Sequence, residues 1–443
     1  MGPGNPKESV MRIFAAVVLM ASVSTPALAQ ASHDTLSEAV DSAISNNPTL
    51  MAERKTRGVA DEVLNQASAQ MGPQLSLSGS YGITNTTVGR QVTTPSGSFP
   101  DDGDSQRGQV GLEARQSLWS GGALTAQRDQ ARAGVDESQA RLLTAEQDTV
   151  LSVVTAFVDV RRSERELEIR ETNVASLREQ VRAATDRFDV GEVTRTDVSQ
   201  AQAQAAASEA ELAKSKANLA RARAIYEQIV GRPPVQLAEP PAAPQLPGTL
   251  DEAIATARNG SPKLLAARAQ EAQGERGVDI ARGSMSPRFD LVGNAGLTDT
   301  RYDQSFQDTN VGVMAEFRWP LFTSGQLQSK TRGAQLEADR ARYQRMAVER
   351  EVTQQTTTSW HEVIAAREAI TASASRVAAA EVALEGAMQE LAVGTRITLD
   401  VLDQERELLN ARLGQVDAER QAYIAIHELL ASMGRLRPES IGK

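Results

Sequence analysis

Leu391 to Glu405, L-A-V-G-T-R-I-T-L-D-V-L-D-Q-E, and its twin Phe188 to Val198, F-D-V-G-E-V-T-R-T-D-V, decide the fold. In each, a Val-Gly pair interrupts a helical pattern, and Asp-Val begins six residues beyond the glycine. Glycine supplies the backbone freedom that a sharp reversal needs, and the flanking segments carry apolar residues at spacings of three and four. Each stretch therefore reads as the tip of a helical hairpin. In the second copy Asp400 and Asp403 stand i,i+3 and share one face of the returning helix. A lone carboxylate here has an ordinary explanation, because Asp197 and Asp400 both stand where negative charge stabilises a helix start. Asp403, one turn further in, has no cap role to fill, so the pair Asp400 and Asp403 is the candidate functional centre.

Behind the tips, Val174, Leu177, Val181, Ala184 and Phe188 recur in heptad spacing, and Val377, Ala380, Leu384, Ala387 and Leu391 repeat that phase. This is the pattern of a left-handed coiled-coil seam. No proline lies between Pro100 and Pro233 or between Pro320 and Pro438, so long helices are permitted there. A helix from Ala123 to Phe188 would run ~100 Å, a return from Glu192 to Ile229 ~57 Å, and an earlier helix from Pro48 to Met71 ~36 Å. The two shorter pieces end to end nearly equal the long one. The expectation is a rod of paired helices with a junction at mid-height.

The chain is one unit written twice. T-L-S-E-A-V from Thr35 matches T-L-D-E-A-I from Thr249, M-G-P-Q-L-S-L from Met71 matches M-S-P-R-F-D-L from Met285, and Val230-Gly231-Arg232 matches Met433-Gly434-Arg435. The predicted organisation is a leader over residues 1–29, a first repeat over 30–232, a Pro-rich extended linker over 233–247, a second repeat over 248–436 and a tail over 437–443. Each repeat opens with a short amphipathic helix, Thr35 to Asn46 in the first, and restarts at Asn47-Pro48 or Ser261-Pro262, a cap residue followed by proline at the first helical position.

After Pro73 and Pro287 the period changes to two. Leu75, Leu77, Tyr81 and Ile83 alternate with small polar residues, and Val110, Leu112, Ala114 and Leu118 share a face on the return. The second copy offers Phe289, Leu291, Ala295 and Leu297, then Val311, Val313, Ala315, Phe317, Trp319 and Leu321. Each run is about ten residues, the length with which a tilted strand crosses a bilayer. Trp119, Trp319 and Phe322 stand at strand ends, where a membrane-interface aromatic belt belongs. The stretches between, T-T-P-S-G-S-F-P-D-D-G-D and D-T-R-Y-D-Q-S-F-Q-D, read as polar loops. Four strands cannot close a barrel, and an open edge does not persist in hydrocarbon, so spanning strands require association of chains.

Composition narrows the function. The net charge of −10 without a Lys/Arg block excludes nucleic acid as the partner, and zero cysteines exclude disulfides and thiolate metal sites. Lys7 and Arg12 precede the apolar run Ile13 to Ala21, and Ala27-Leu28-Ala29 offers a cleavage position, so an exported protein is expected, starting at Met1 or Met11. Of three histidines, His33 follows that position closely. His361-Glu362 and His427-Glu428 begin like a zinc-protease motif but carry Ala365 and Ala431 where the second ligand belongs; both histidines read as helix-surface residues. No catalytic constellation, metal or cofactor is expected.

With strands, long hairpins, duplication and the run Val393 to Ala411, V-G-T-R-I-T-L-D-V-L-D-Q-E-R-E-L-L-N-A, in place, the chain resembles the TolC-type outer membrane factors, most of all the branch serving type I protein secretion. The similarity covers essentially the whole mature chain. It implies a mainly α fold of internally duplicated helical hairpins forming an α-barrel, with four β-strands per chain completed as a 12-stranded membrane barrel in a homotrimer. The resemblance further implies that Asp400 and Asp403 form the pore constriction, that Arg396 clamps the entrance by pairing with Asp197, and that Val190, Gly191, Val393 and Gly394 receive a periplasmic adaptor. Leu391 departs from members that carry tyrosine there, so any hydrogen bond of that tyrosine is missing. The expected function is a trimeric outer membrane channel-tunnel, the exit duct of a tripartite type I secretion or efflux system reaching an inner-membrane ABC or proton-driven transporter through the adaptor. A duct for small-molecule efflux alone is an alternative within that class. A soluble periplasmic coiled-coil adaptor or structural protein is the alternative outside it, and leaves the strands unexplained.

Overall fold

The computed structural model describes residues 34–86, 91–94, 97–100, 103–301 and 305–441. The predicted leader, the choice between Met1 and Met11, and His33 lie outside the described residues.

Helix α1, Leu36–Asn46, is started by a reciprocal cap: Glu38 N–H donates to the Thr35 hydroxyl and Thr35 N–H to the Glu38 carboxylate. Asn47 then caps α2, Pro48–Ala69, its side-chain oxygen accepting from the N–H of Thr49 at 2.9 Å. The same proline device opens α6, Pro262–Gly283, after α5, Leu250–Gly260, although Ser261 makes no side-chain cap bond.

Strands β1, Gln74–Thr86, β4, Gly103–Trp119, β5, Arg288–Arg301, and β6, Ser305–Arg318, form one antiparallel sheet in the order β1-β4-β5-β6. The four expected strands are therefore present, but at 13 to 17 residues they exceed the expected ten. At roughly 3.4 Å per residue they are longer than a tilted strand needs to cross a hydrocarbon layer. The stretch read as a loop after β1 also holds a second, two-stranded sheet, β2, Gln91–Thr94, with β3, Gly97–Pro100. Val92, Thr93 and Thr94 are β-branched, which favours extended backbone even among loop-forming neighbours.

Two helices of 67 residues, α3, Ala123–Asp189, and α7, Gln326–Ala392, run the length of the helical body, about 100 Å each. The returns are α4, Arg195–Val230, and α8, Thr398–Ser432. α3 packs on α4 and α8 over its tip-side part and on α2 and α6 towards the sheet, while α7 packs on α8 and α6. The expected mid-height junction is thus where α4 gives way to α2 and α8 to α6. A core collects there: Leu36 and Val40 of α1, Val150 and Phe157 of α3, Tyr226 of α4, Leu264 of α6 and Leu429 of α8. The segment 233–247 holds no helix and is pinned to the junction: Leu237 bridges Asp34 in parallel, and Asp34 holds Arg232 at 2.7 Å.

Two further expectations change. The first return helix begins at Arg195 rather than Glu192, because the residues between complete the turn and Thr194 caps the helix. His361 is on the surface as expected, but His427 is 1 % exposed. Its Nδ1 lies 2.7 Å from the Tyr423 carbonyl and its ring packs on that of Tyr423, and burial pushes the imidazole below its ordinary pKa. Near the junction α8 is enclosed on more than one side, so helical periodicity alone assigns this position to the wrong environment.

Candidate functional site

The two tips are built alike at the descending helix and differently at the returning one. α3 and α7 end in the same motif. Gly191 and Gly394, at φ 81° and 77°, adopt the left-handed conformation. Their N–H groups donate to Phe188 and Leu391, and those of Glu192 and Thr395 donate to Arg187 and Glu390. The paired bonds satisfy carbonyls that the helix end would leave free, and only glycine adopts that conformation without strain.

At the return, the first copy places Thr194 at the cap. Asp197, three residues on, accepts from both the N–H and the hydroxyl of Thr194 at 2.8 Å. The second copy has Ile397 at the matching position, which offers no side-chain cap. Asp400, the counterpart of Asp197, consequently has no hydrogen-bond or ion-pair partner for its carboxylate among the described residues. Asp403 pairs at its surface with Arg406 at 2.9 Å. One aspartate of the duplicated pair is thus consumed by local structure and the other is released. The signal was in the sequence, T-R-T-D against I-T-L-D.

Arg396 extends to Glu390 at 2.5 Å, on its own hairpin. The structure does not bring Arg396 and Asp197 together within one chain. Val190 and Val393 are 72 % and 74 % exposed at the extreme end of the helical body. The hairpins are joined near their tips by Leu402 of α8, which enters a cluster of Leu177 and Ala184 from α3 and Ala201 and Ala205 from α4. Further from the tips, Asp417 and Arg420 of α8 pair with Arg162 and Asp159 of α3. Sequence periodicity did not reveal this second seam, because it joins segments more than two hundred residues apart.

At the other end the sheet has two chemically opposite faces. Leu77, Leu112 and Ala295 are consecutive cross-strand partners with Val311, and the same face carries Leu75, Ile83, Leu291 and Val313. Val311 and Val313 are 80 % and 76 % exposed in the single chain. The opposite face presents Gln109, Glu113, Arg115, Asp290, Asn294 and Glu316, with Arg115 within 3.6 Å of Asp290 and 3.4 Å of Glu316. Trp119 and Trp319 lie at the helical end of the sheet, and Phe322 just beyond is 87 % exposed. Phe289 and Phe317 join this aromatic edge, their rings 4.9 Å apart, with Trp119 at 5.9 Å from Phe289. Among the described residues no helix is long and apolar enough to cross a membrane, and no cluster of three or more His, Cys, Asp or Glu is arranged to hold a metal ion.

Comparison with known proteins agrees with this architecture. The family model described as outer membrane efflux protein matches residues 39–232 and 253–435. The outer membrane efflux protein BepC of Brucella suis is 31% identical over 433 residues, which is 97% of this chain and 91% of that protein. The outer membrane protein TolC of Escherichia coli is 26% identical, covering 89% of this chain and 81% of its own. Among solved structures, the channel-forming protein CusC superposes with a TM-score of 0.80 at 16% identity, over 91% of this chain and 92% of that one. With both repeats matched and the sheet and helical body placed as above, the chain belongs to the outer membrane efflux protein family and is an outer membrane channel protein whose helices reach into the periplasm.

Proposed function

We propose that three copies of this chain assemble into the exit duct of a tripartite export system. The observation that carries this reading is the four-stranded sheet, apolar on one face and polar on the other, with β1 and β6 as edges that lack a strand partner among the described residues. In lipid such edges are satisfied only by closure with further copies. Two copies would give eight strands, whose interior side chains fill; three give twelve and leave a lumen. The polar face then lines the duct and the apolar face meets lipid, with Trp119, Trp319 and Phe322 at the interface.

Threefold symmetry gathers Asp400 and Asp403 of three chains into two carboxylate rings at the periplasmic mouth, a negative constriction that selects and retains cations. Val190-Gly191 and Val393-Gly394 are the surface a periplasmic adaptor would grip, and an inner-membrane ABC or proton-driven transporter would deliver cargo through it. The duct serves type I protein secretion or efflux.

Within a chain Arg396 is held by Glu390 and Asp197 by Thr194, so the clamp, where formed, joins Arg396 to Asp197 of a neighbouring copy. Replacing Arg396→Ser is expected to raise single-channel conductance in planar bilayers several-fold, whereas Lys55→Ser, on exposed α2, leaves it unchanged. An Arg396→Ser channel conducting like the parent would contradict the clamp.

A further inference from the structure

Below the acidic mouth, α8 carries a residue that its position does not call for. Val401, Leu402, Glu405, Leu408 and Ala411 form the buried stripe of the returning helix, and Glu405 is the one charged member. It is 5 % exposed. Its Oε1 accepts from the Ser176 hydroxyl of α3 at 2.7 Å, while Oε2 is buried without a hydrogen-bond partner. An ionised carboxylate in such a place loses hydration on one oxygen with nothing in return, whereas a neutral one loses far less.

No charged side chain compensates it. On α3, Arg170 is held by Glu166, Arg178 by Glu209 of α4, and Glu179 by Arg182. Glu211 of α4 holds Lys214 and lies 3.6 Å from Arg170. On α7, Arg376 pairs with Glu407 and Glu381 with Arg412, and on α8 itself Asp403 pairs with Arg406. Burial accordingly raises the Glu405 pKa above the ordinary 4.5, with the Ser176 hydrogen bond and the nearby Gln180 side chain, which makes no hydrogen bond of good geometry to it, acting in the opposite direction.

We propose that Glu405 is a protonation-controlled latch between the two hairpins of a chain: neutral, it lets the second tip lie docked on α3; ionised, it drives that tip away. The place of Glu405 makes this effective. Between the tips and the Arg162–Asp417 and Asp159–Arg420 pairs, Leu402 and Glu405 of α8 both reach the first hairpin, one residue before and two residues after Asp403. Any displacement of Asp400 and Asp403 with their hairpin exposes Glu405 to water. The latch rests on the reading that these tips form the duct entrance.

The sign follows from linkage. The docked state holds the Glu405 proton more tightly than the undocked state, where the carboxyl is hydrated and ordinary. Docking is therefore favoured fully below the ordinary glutamate value, and weakens as pH rises through the raised value of the docked state. Ser176→Ala removes a bond that favours the charged form in the docked state, so the ionised carboxyl is held there less well still and the tip undocks at lower pH. Glu405→Gln keeps the size and cannot ionise, so the tip stays docked.

The chain has no cysteine, so Asp186→Cys on α3 and Asn410→Cys on α8 accept nitroxide labels uniquely. Electron–electron distance measurements on intact trimers containing a minority of labelled chains then read the separation of the hairpins from about pH 4 to about pH 9. In the parent, the ratio of long to short distances is expected to rise up to about tenfold per pH unit through the transition. Glu405→Gln is expected to remain short throughout, and Ser176→Ala to shift the transition to lower pH. A Glu405→Gln protein that switches like the parent, or a parent whose distance never changes, overturns the latch. Bilayer current from the same trimers reads the duct separately: switching without current keeps the latch and removes the duct, and current without switching does the reverse.

Discussion

Replacing Asp400 and Asp403 together by alanine is expected to abolish block of the channel current by multivalent cations and to weaken its preference for cations. In a trimer the pair supplies six carboxylates around one axis. A unit charge pair 4 Å apart gains about 1 kcal/mol in bulk water and about 4 kcal/mol at the effective dielectric of a protein surface. A trivalent cation centred between several carboxylates multiplies that gain, so losing all six lowers blocking affinity by orders of magnitude. The two positions are not equal. Asp403 already faces Arg406 at 2.9 Å, whereas Asp400 has no such partner, because Ile397 replaces the threonine that engages Asp197 in the first repeat. Asp400→Ala alone is therefore expected to cost more blocking affinity than Asp403→Ala alone. Block that survives the double replacement would remove the carboxylate rings, and equal single effects would remove the argument from capping.

The second large effect concerns the sheet. Val313→Arg puts a charge on the sheet face that carries Val311 of β6, Ala295 of β5 and Leu112 of β4, and at the bilayer midplane an arginine on a lipid-facing strand costs roughly 2–4 kcal/mol per chain. Every chain of a trimer bears it. Met314→Arg, one residue along, points to the face of Asn294 and Arg115, where the charge stays in water. Trimer recovered from outer membranes is expected to fall severely for Val313→Arg and to stay near the parent for Met314→Arg. The opposite ranking would mean that the faces are assigned the wrong way round, and equal, mild effects would mean that neither face meets lipid.

Much of this architecture is written in local sequence. The Val-Gly breaks, the proline-free spans and the switch to period two after Pro73 and Pro287 each reflect backbone chemistry acting over a few residues, and the duplication lets each copy check the other. What was hidden is non-local. Glu405 lies on the apolar stripe of α8 and, as sequence, resembles any solvated glutamate, because its burial depends on Ser176 in a helix of the other repeat. His427 was misplaced for the same reason. The additional β2–β3 pair is hidden because Pro, Gly and Ser in that stretch outweigh its β-branched residues. The difference between Asp197 and Asp400 is legible in Thr194 against Ile397, a single departure inside an otherwise matching pair of repeats.

The central claim is that single chains carry a third of a barrel and complete it by association. The direct measurement is the mass and secondary structure of the protein extracted from outer membranes in mild detergent, before and after heating. The expected result is a three-chain particle, rich in helix with a β-sheet component, that needs detergent for extraction and separates into single chains on heating. A single-chain particle that leaves the cell envelope in aqueous buffer would contradict it.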